Sequence, residues 1–260
     1  MDDVVHFEII GPVARLTLNR PKAMNAMNLA MLARLDQLLG QVAADPALRV
    51  LVVTGAGPAF CAGADLKEAL ASGAPAPGEA DFLDRARSVL DTLRNFGKPV
   101  IAALNGVTMA GGLEIAMCAD IIVAADSATI GDAHANFGVY PGAGGAAILP
   151  RLIPLNQAMY LLLTGKSLSA ADMKACGLVA EVHPAAELAD ATLKLAARIA
   201  QNSPIVMQRM KQVARTSADK SSADALLHEQ VMLRQHLRSY DLSEGLQAFS
   251  EKRAPQFQGR

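Results

Sequence analysis

The chain is short of cysteine, of long apolar runs and of charge of either sign in excess, and each shortage argues against a class of protein. Its three cysteines, Cys61, Cys118 and Cys176, are an odd number with no C-x-x-C pair. That pattern fits a reducing compartment and gives no zinc spacing, so no metal is expected. Lys and Arg total 24 against 25 Asp and Glu, a formal net charge of −1. The charges are intermixed, so no basic face is available to neutralise a phosphate backbone, and nucleic acid is not an expected partner. One anionic ligand held by a few local lysines remains compatible. Every apolar run is broken by Gly, Pro or a charge well before the roughly 18 residues of a membrane span. The start, Met1-Asp-Asp-Val-Val-His6, has neither a basic n-region nor an apolar h-region. Export is therefore not expected, and the cytoplasm is the expected location.

What is present suits one large α/β domain with an appendage: 260 residues, 52% of them hydrophobic, enough for a core and for buried subunit contacts. Val4–Ile10 and Val13–Leu18 read as strands around the Gly11-Pro12 turn. Asn28 opens a helix to Val42 with leucines and methionines three and four apart. Arg49–Thr54, Val100–Leu104 and Ile121–Ala124 are short continuous apolar strands, and helices are expected over Asp81–Asn95 and Gly111–Cys118. The repeating order of strand, turn and helix predicts parallel strands joined by crossovers. Ala71–Gly78 is low in complexity and reads as a loop. From about Arg198 glycine nearly vanishes, and Pro204–Thr216, Ser222–His236 and Leu242–Phe249 have helical spacing.

Three glycine-bearing segments stand at the ends of these elements: Phe60-Cys-Ala-Gly-Ala-Asp-Leu66, Asn105-Gly-Val-Thr-Met-Ala-Gly-Gly-Leu-Glu114 and Pro141-Gly-Ala-Gly-Gly145. Glycine allows positive φ or close approach of a ligand to the backbone. Two facing turns of this kind can aim N–H groups at one oxygen, as an oxyanion hole does. Glu114 falls in the first turn of a helix whose positive end points the same way. Its neighbours Leu113, Ile115, Ala116 and Met117 suggest burial, where an unpaired carboxylate is costly without a function. A carbonyl polariser beside a carboxylate is equipment for acid–base chemistry next to a thioester or ketone.

With Leu18-Asn-Arg-Pro-Lys-Ala-Met-Asn-Ala26 before them and Glu244-Gly-Leu-Gln-Ala-Phe-Ser-Glu-Lys-Arg253 after, these segments resemble the crotonase (enoyl-CoA hydratase/isomerase) superfamily in order and spacing over nearly the whole chain. The resemblance implies an α/β spiral of repeated ββα units over residues 1–197. It also implies a helical C-terminal region, 198–260, that forms a homotrimer, commonly within a dimer of trimers. It implies an acyl-CoA substrate whose thioester oxygen is held by the N–H groups of Ala64 and Gly111, and a Glu114 that activates water. The matching turn carries alanine at Ala110 where relatives have glycine, which is harmless if that residue does not need positive φ. The second catalytic glutamate of the hydratases is replaced here by His134, an imidazole able to pass a proton near neutral pH. Asp132, two residues away, would orient that ring if the segment is extended, and nearby Tyr140 is a proton donor or a packing residue.

For CoA itself the resemblance implies Lys22, the Ala62 carbonyl, the wall Asp65-Leu66-Lys67, and Phe249 and Lys252 from a neighbouring subunit. Each lysine reads equally as a solvated charge and Phe249 as a helix-face core residue. Cys61 reads as a buried small thiol, since no base is positioned to activate it. No metal, nicotinamide or flavin is implied, because CoA arrives with the substrate. Hydration of a 2-enoyl-CoA is the leading expectation. Isomerisation, decarboxylation and carbon–carbon cleavage share its enolate and stay open because of His134, and a non-catalytic CoA- or RNA-binding relative is the remaining alternative. Acyl-chain identity is not readable.

Overall fold

A computed structural model describes residues 3–71 and 81–260. Strands β1 (Val5–Ile10) and β2 (Val13–Leu18) form an antiparallel hairpin, and helix α1 (Leu29–Ala44) follows. Asn28 starts α1 by accepting from the Met31 N–H at 3.0 Å, which satisfies one of the helix's unpaired donors. Met31, Leu32, Leu35, Leu38, Leu39 and Val42 recur on one face of α1 and are all buried, each contributing roughly 1.5–3 kcal/mol if removed fully from water.

The winding begins at β3 (Val50–Gly55), which hands the chain to β4 (Ala59–Cys61) and then to α2 (Leu66–Ala71) and α3 (Phe82–Arg94). It repeats as β5 (Val100–Leu104), β6 (Val107–Met109) and α4 (Gly111–Ala116), and again as β7 (Ile121–Ala125) and β8 (Thr129–Gly131). The first strand of each unit adds to one sheet and the second to another. The large sheet has the order β1-β2-β3-β5-β7-β10 and is parallel from β2 onward. The small sheet, β4-β6-β8-β9, is parallel until its last pair. Strands covered on both faces carry uninterrupted apolar sequence, and every residue of β5 is buried. The expected parallel crossovers are observed, wound as a spiral of ββα units.

Helices α5 (Gly145–Leu152) and α6 (Leu155–Thr164), strand β9 (Ser167–Ser169), helix α7 (Ala170–Ala175), strand β10 (Glu181–His183) and helix α8 (Leu188–Ala200) complete the spiral. Residue 198, where the composition changes, lies in the last turn of α8. Helices α9 (Pro204–Ser217), α10 (Ser222–His236) and α11 (Tyr240–Glu251) follow. Asp120, at the entrance to β7, fastens α9 to the spiral through Lys211 at 2.7 Å and Arg215 at 2.8 Å. The Glu244 and Arg253 of the last recognised segment pair with each other through both carboxylate oxygens, at 2.6 and 3.0 Å. This pairing holds the Glu244 carboxyl well below its ordinary range, at about 2. Ala71 ends α2 rather than beginning a loop, and the rest of the low-complexity stretch lies outside the described residues. Among the described residues no helix is long and apolar enough to cross a membrane.

Candidate active site

Strand β4 and helix α4 meet at the glycine segments. A Cβ on Gly112 would lie 2.0 Å from the Cys61 carbonyl oxygen, so only glycine lets the start of α4 press against the end of β4. One turn later the chain pairs Ala64 with Met27: the Met27 N–H donates to Gly63 at 2.7 Å and the Asp65 N–H to Met27 at 2.8 Å. Because alternate residues face opposite edges of a strand, the N–H of Ala64 turns away from Met27, and it has no acceptor among the described residues. Gly111 is the first residue of α4, where an N–H has no partner within its own helix. The two groups are neighbours, since a Cβ on Gly111 would sit 3.5 Å from the Ala64 nitrogen.

Ala110, which joins β6 to α4, has φ 49° and ψ −120°. The condition under which alanine was expected to be harmless is therefore not met. This residue does need positive φ, and alanine holds it under strain.

Glu114 is 4% exposed. Its Oε1 accepts from the Ala143 N–H at 2.8 Å and the Gly145 N–H at 2.9 Å, and its Oε2 has no partner among the described residues. The glycine-rich 141–145 loop is thus a clamp for the glutamate, a role that its sequence alone did not disclose. Backbone donors carry no side-chain signature, and the Gly144-Gly145 pair was the only signal.

His134 stands beside this group. Its Nδ1 lies 3.0 Å from Asp132 Oδ1, as expected, but for a different geometric reason. The segment is not extended there. Ala133 is left-handed, with φ 60°, and His134 opens a short 3-10 turn to Phe137, which folds the ring back over Asp132. Asp132 is 1% exposed, and its Oδ2 has no hydrogen-bond partner among the described residues. A Cβ on Gly145 would come within 2.6 Å of that oxygen, so the clamp loop packs directly on the Asp132–His134 pair. Burial pushes the His134 pKa down, but the Asp132 hydrogen bond and the charges of Asp132 and Glu114 outweigh it and raise the net value.

The remaining expected residues divide. Lys22 is exposed in a 3-10 turn, Pro21–Ala23, and the adjoining Met24 carbonyl accepts from Ala62 at 3.0 Å, so Lys22 and Ala62 share one rim. Leu66 and Lys67 are exposed at the start of α2. The Asp65 carboxylate is turned to Arg20 at 2.9 Å, which makes Arg20 a support of this wall that sequence reasoning passed over. Phe249 is 85% exposed, which excludes a core role. Lys252 ends α11 in a left-handed cap, and no hydrogen bond or ion pair among the described residues ties either to the rim. Tyr140 is 83% exposed and is not a packing residue. Cys61 is wholly buried, and burial pushes its thiol up to about 12, which suits an inert thiol.

The sequence matches the family described as Enoyl-CoA hydratase/isomerase over residues 8–260. The chain belongs to the enoyl-CoA hydratase/isomerase family. It is 37% identical to (E)-benzylidenesuccinyl-CoA hydratase of Thauera aromatica, covering 98% of this chain and 99% of that one. It is 36% identical to 2,3-dehydroadipyl-CoA hydratase of Escherichia coli (strain K12), covering 95% and 96%. In structure it is similar to the enoyl-CoA hydratase from Bacillus anthracis, with TM-score 0.93 at 34% identity, covering 99% of this chain and all of that one. The family's crotonase fold is the fold described above, and the chain is an enzyme of that family.

Proposed function

We propose that this site adds water to the double bond of a 2-enoyl-CoA, giving a 3-hydroxyacyl-CoA. The observation that carries the proposal is the state of Glu114: buried, with one oxygen fixed by two backbone donors and the other left open to the substrate. A buried carboxylate oriented in this way is a positioned general base. The N–H groups of Ala64 and Gly111 hold the thioester oxygen. Glu114 Oε2 takes a proton from water as the new C3–O bond forms, and the double-bond electrons pass through C2 onto the thioester oxygen. Each donor that meets this enolate oxygen is worth about 3–4 kcal/mol in the transition state. The enolate then collapses and C2 takes a proton from His134 Nε2, whose ring is held through Nδ1 by Asp132. Solvent returns the proton from Glu114 to His134 after product leaves.

CoA runs along the rim of Lys22, Ala62, Leu66 and Lys67, with Phe249 and Lys252 supplied by a neighbouring subunit. The assembly is a homotrimer or a dimer of trimers, built through the helices of the 198–260 region. Imidazole in place of a second carboxylic acid favours one further reading, in which the same enolate is used for isomerisation, decarboxylation or carbon–carbon cleavage. Mass spectrometry of a panel of acyl-CoA thioesters separates these outcomes. Gain of one water on an enoyl thioester is the expected result. Unchanged mass with a moved double bond, loss of carbon dioxide or cleavage of the acyl chain would replace hydration.

A further inference from the structure

The 141–145 loop has a second side. Ala143 gives its N–H to Glu114 and its carbonyl to Arg94 Nη2, at 3.0 Å. Next to that carbonyl a cavity of about 200 Å³ opens between the loop and α3. It is smaller than the roughly 300–1,000 Å³ of a pocket for a whole ligand, so it suits one end of a larger molecule. Its apolar walls include Leu90 and Ile148, which match an acyl tail.

The charges in the cavity are unbalanced. Among the described residues, Arg87 and Arg94 share the cavity with a single carboxylate, Asp91. Arg94 Nη1 pairs with Asp91 at 2.7 Å, while its Nε is buried with no hydrogen-bond partner among the described residues. The Arg87 Nε lies 3.7 Å from Asp91 and its side chain is 77% exposed, so its planar donor edge remains largely unspent. A guanidinium with free donors is matched to a carboxylate. A neutral tail would leave one positive charge in excess beside it.

We infer that this cavity receives the far end of the acyl group and that Arg87, with Arg94, selects thioesters whose acyl chain ends in a carboxylate. The inference rests on the reading of Glu114 as the base beside C3, because the Ala143 peptide that fixes Glu114 is also a wall of the cavity. The phosphates of CoA offer similar anionic chemistry. They are common to every thioester, so a loss shared by neutral and carboxylated substrates would report the phosphates instead.

The test compares trans-2-hexenoyl-CoA with the same thioester carrying a terminal carboxylate, in the wild type and in Arg87→Leu and Arg87→Gln. A charge-assisted contact of this kind changes kcat/KM by roughly tenfold or more. The wild type should prefer the carboxylated substrate by at least that factor, less so at high salt, and both variants should collapse the preference. Calorimetric binding of the saturated pair, hexanoyl-CoA and adipoyl-CoA, gives the same comparison without chemistry. If neither enoyl thioester is hydrated but the binding preference and its loss remain, the role of Glu114 falls and the anion site stands. No preference in the wild type, or an equal loss for both thioesters in the variants, would overturn the inference.

Discussion

His134 holds its Nδ1 against Asp132, leaving Nε2 as the nitrogen that can exchange a proton with a substrate. Its pKa is raised above the ordinary imidazole value, so the cationic, proton-donating form persists to higher pH than in a free imidazole. Donation is then complete below the ordinary pKa and is lost as pH rises through the raised one. The pair's contribution to stability has the same sign, because a raised pKa means that the folded state binds the proton more tightly. Asp132→Asn preserves shape but removes the charge, so the alkaline limb of the pH–rate profile should move to lower pH. His134→Ala should abolish that limb and lower kcat by about a hundredfold, with a smaller effect on KM. An unchanged profile in both variants would make His134 a pocket wall. The sequence placed Glu114 at the start of a helix among apolar neighbours, and the family resemblance placed His134 at the position of the second glutamate. The donors from Ala143 and Gly145 were not legible, because backbone N–H groups carry no side-chain signature, and nothing set Arg94 apart within the helix expected over Asp81–Asn95.

The junction of β6 and α4 stores strain at one residue. Ala110 sits at φ 49°, ψ −120°, a region that side chains with a Cβ avoid. Alanine-to-glycine changes usually cost 0.5–1 kcal/mol in regular elements. Here Ala110→Gly should instead leave stability unchanged or raise it by about 1 kcal/mol, by releasing strain of roughly that size. Thermal or denaturant unfolding decides this, and a clear destabilisation would show that the junction is relaxed with alanine in place. The same elements show what the sequence could convey. Val100–Leu104 was readable to its ends because a strand buried on both faces is one unbroken apolar run. The three-residue strands β4, β6, β8, β9 and β10 were not, since three residues are too few to display an alternation. The spiral followed from the resemblance, because its ββα units share no fixed sequence period.

At the scale of the molecule, the C-terminal helices are unfinished surfaces. Neither α9 nor α10 buries a residue within the chain, yet Met210, Leu226, Leu227, Leu233, Leu237 and Phe249 are all exposed. Exposed apolar side chains of this kind are what an assembly through these helices would cover. Light scattering should report a trimer or hexamer, and a stable, active monomer would contradict that assembly. The proposed assembly also bears on the proposed CoA site, because Phe249 and Lys252 lie in the same C-terminal region.

The measurement that bears most directly on the account is the hydration rate of Glu114→Gln on a 2-enoyl-CoA that the wild type converts. Glutamine keeps the shape and can still accept from Ala143 and Gly145, but it cannot take a proton from water. The account predicts that kcat falls by a hundredfold or more, about the contribution of a positioned general base, while thioester affinity stays close to that of the wild type. Retention of more than roughly a tenth of the wild-type kcat would contradict it, since Glu114 would then not be the base.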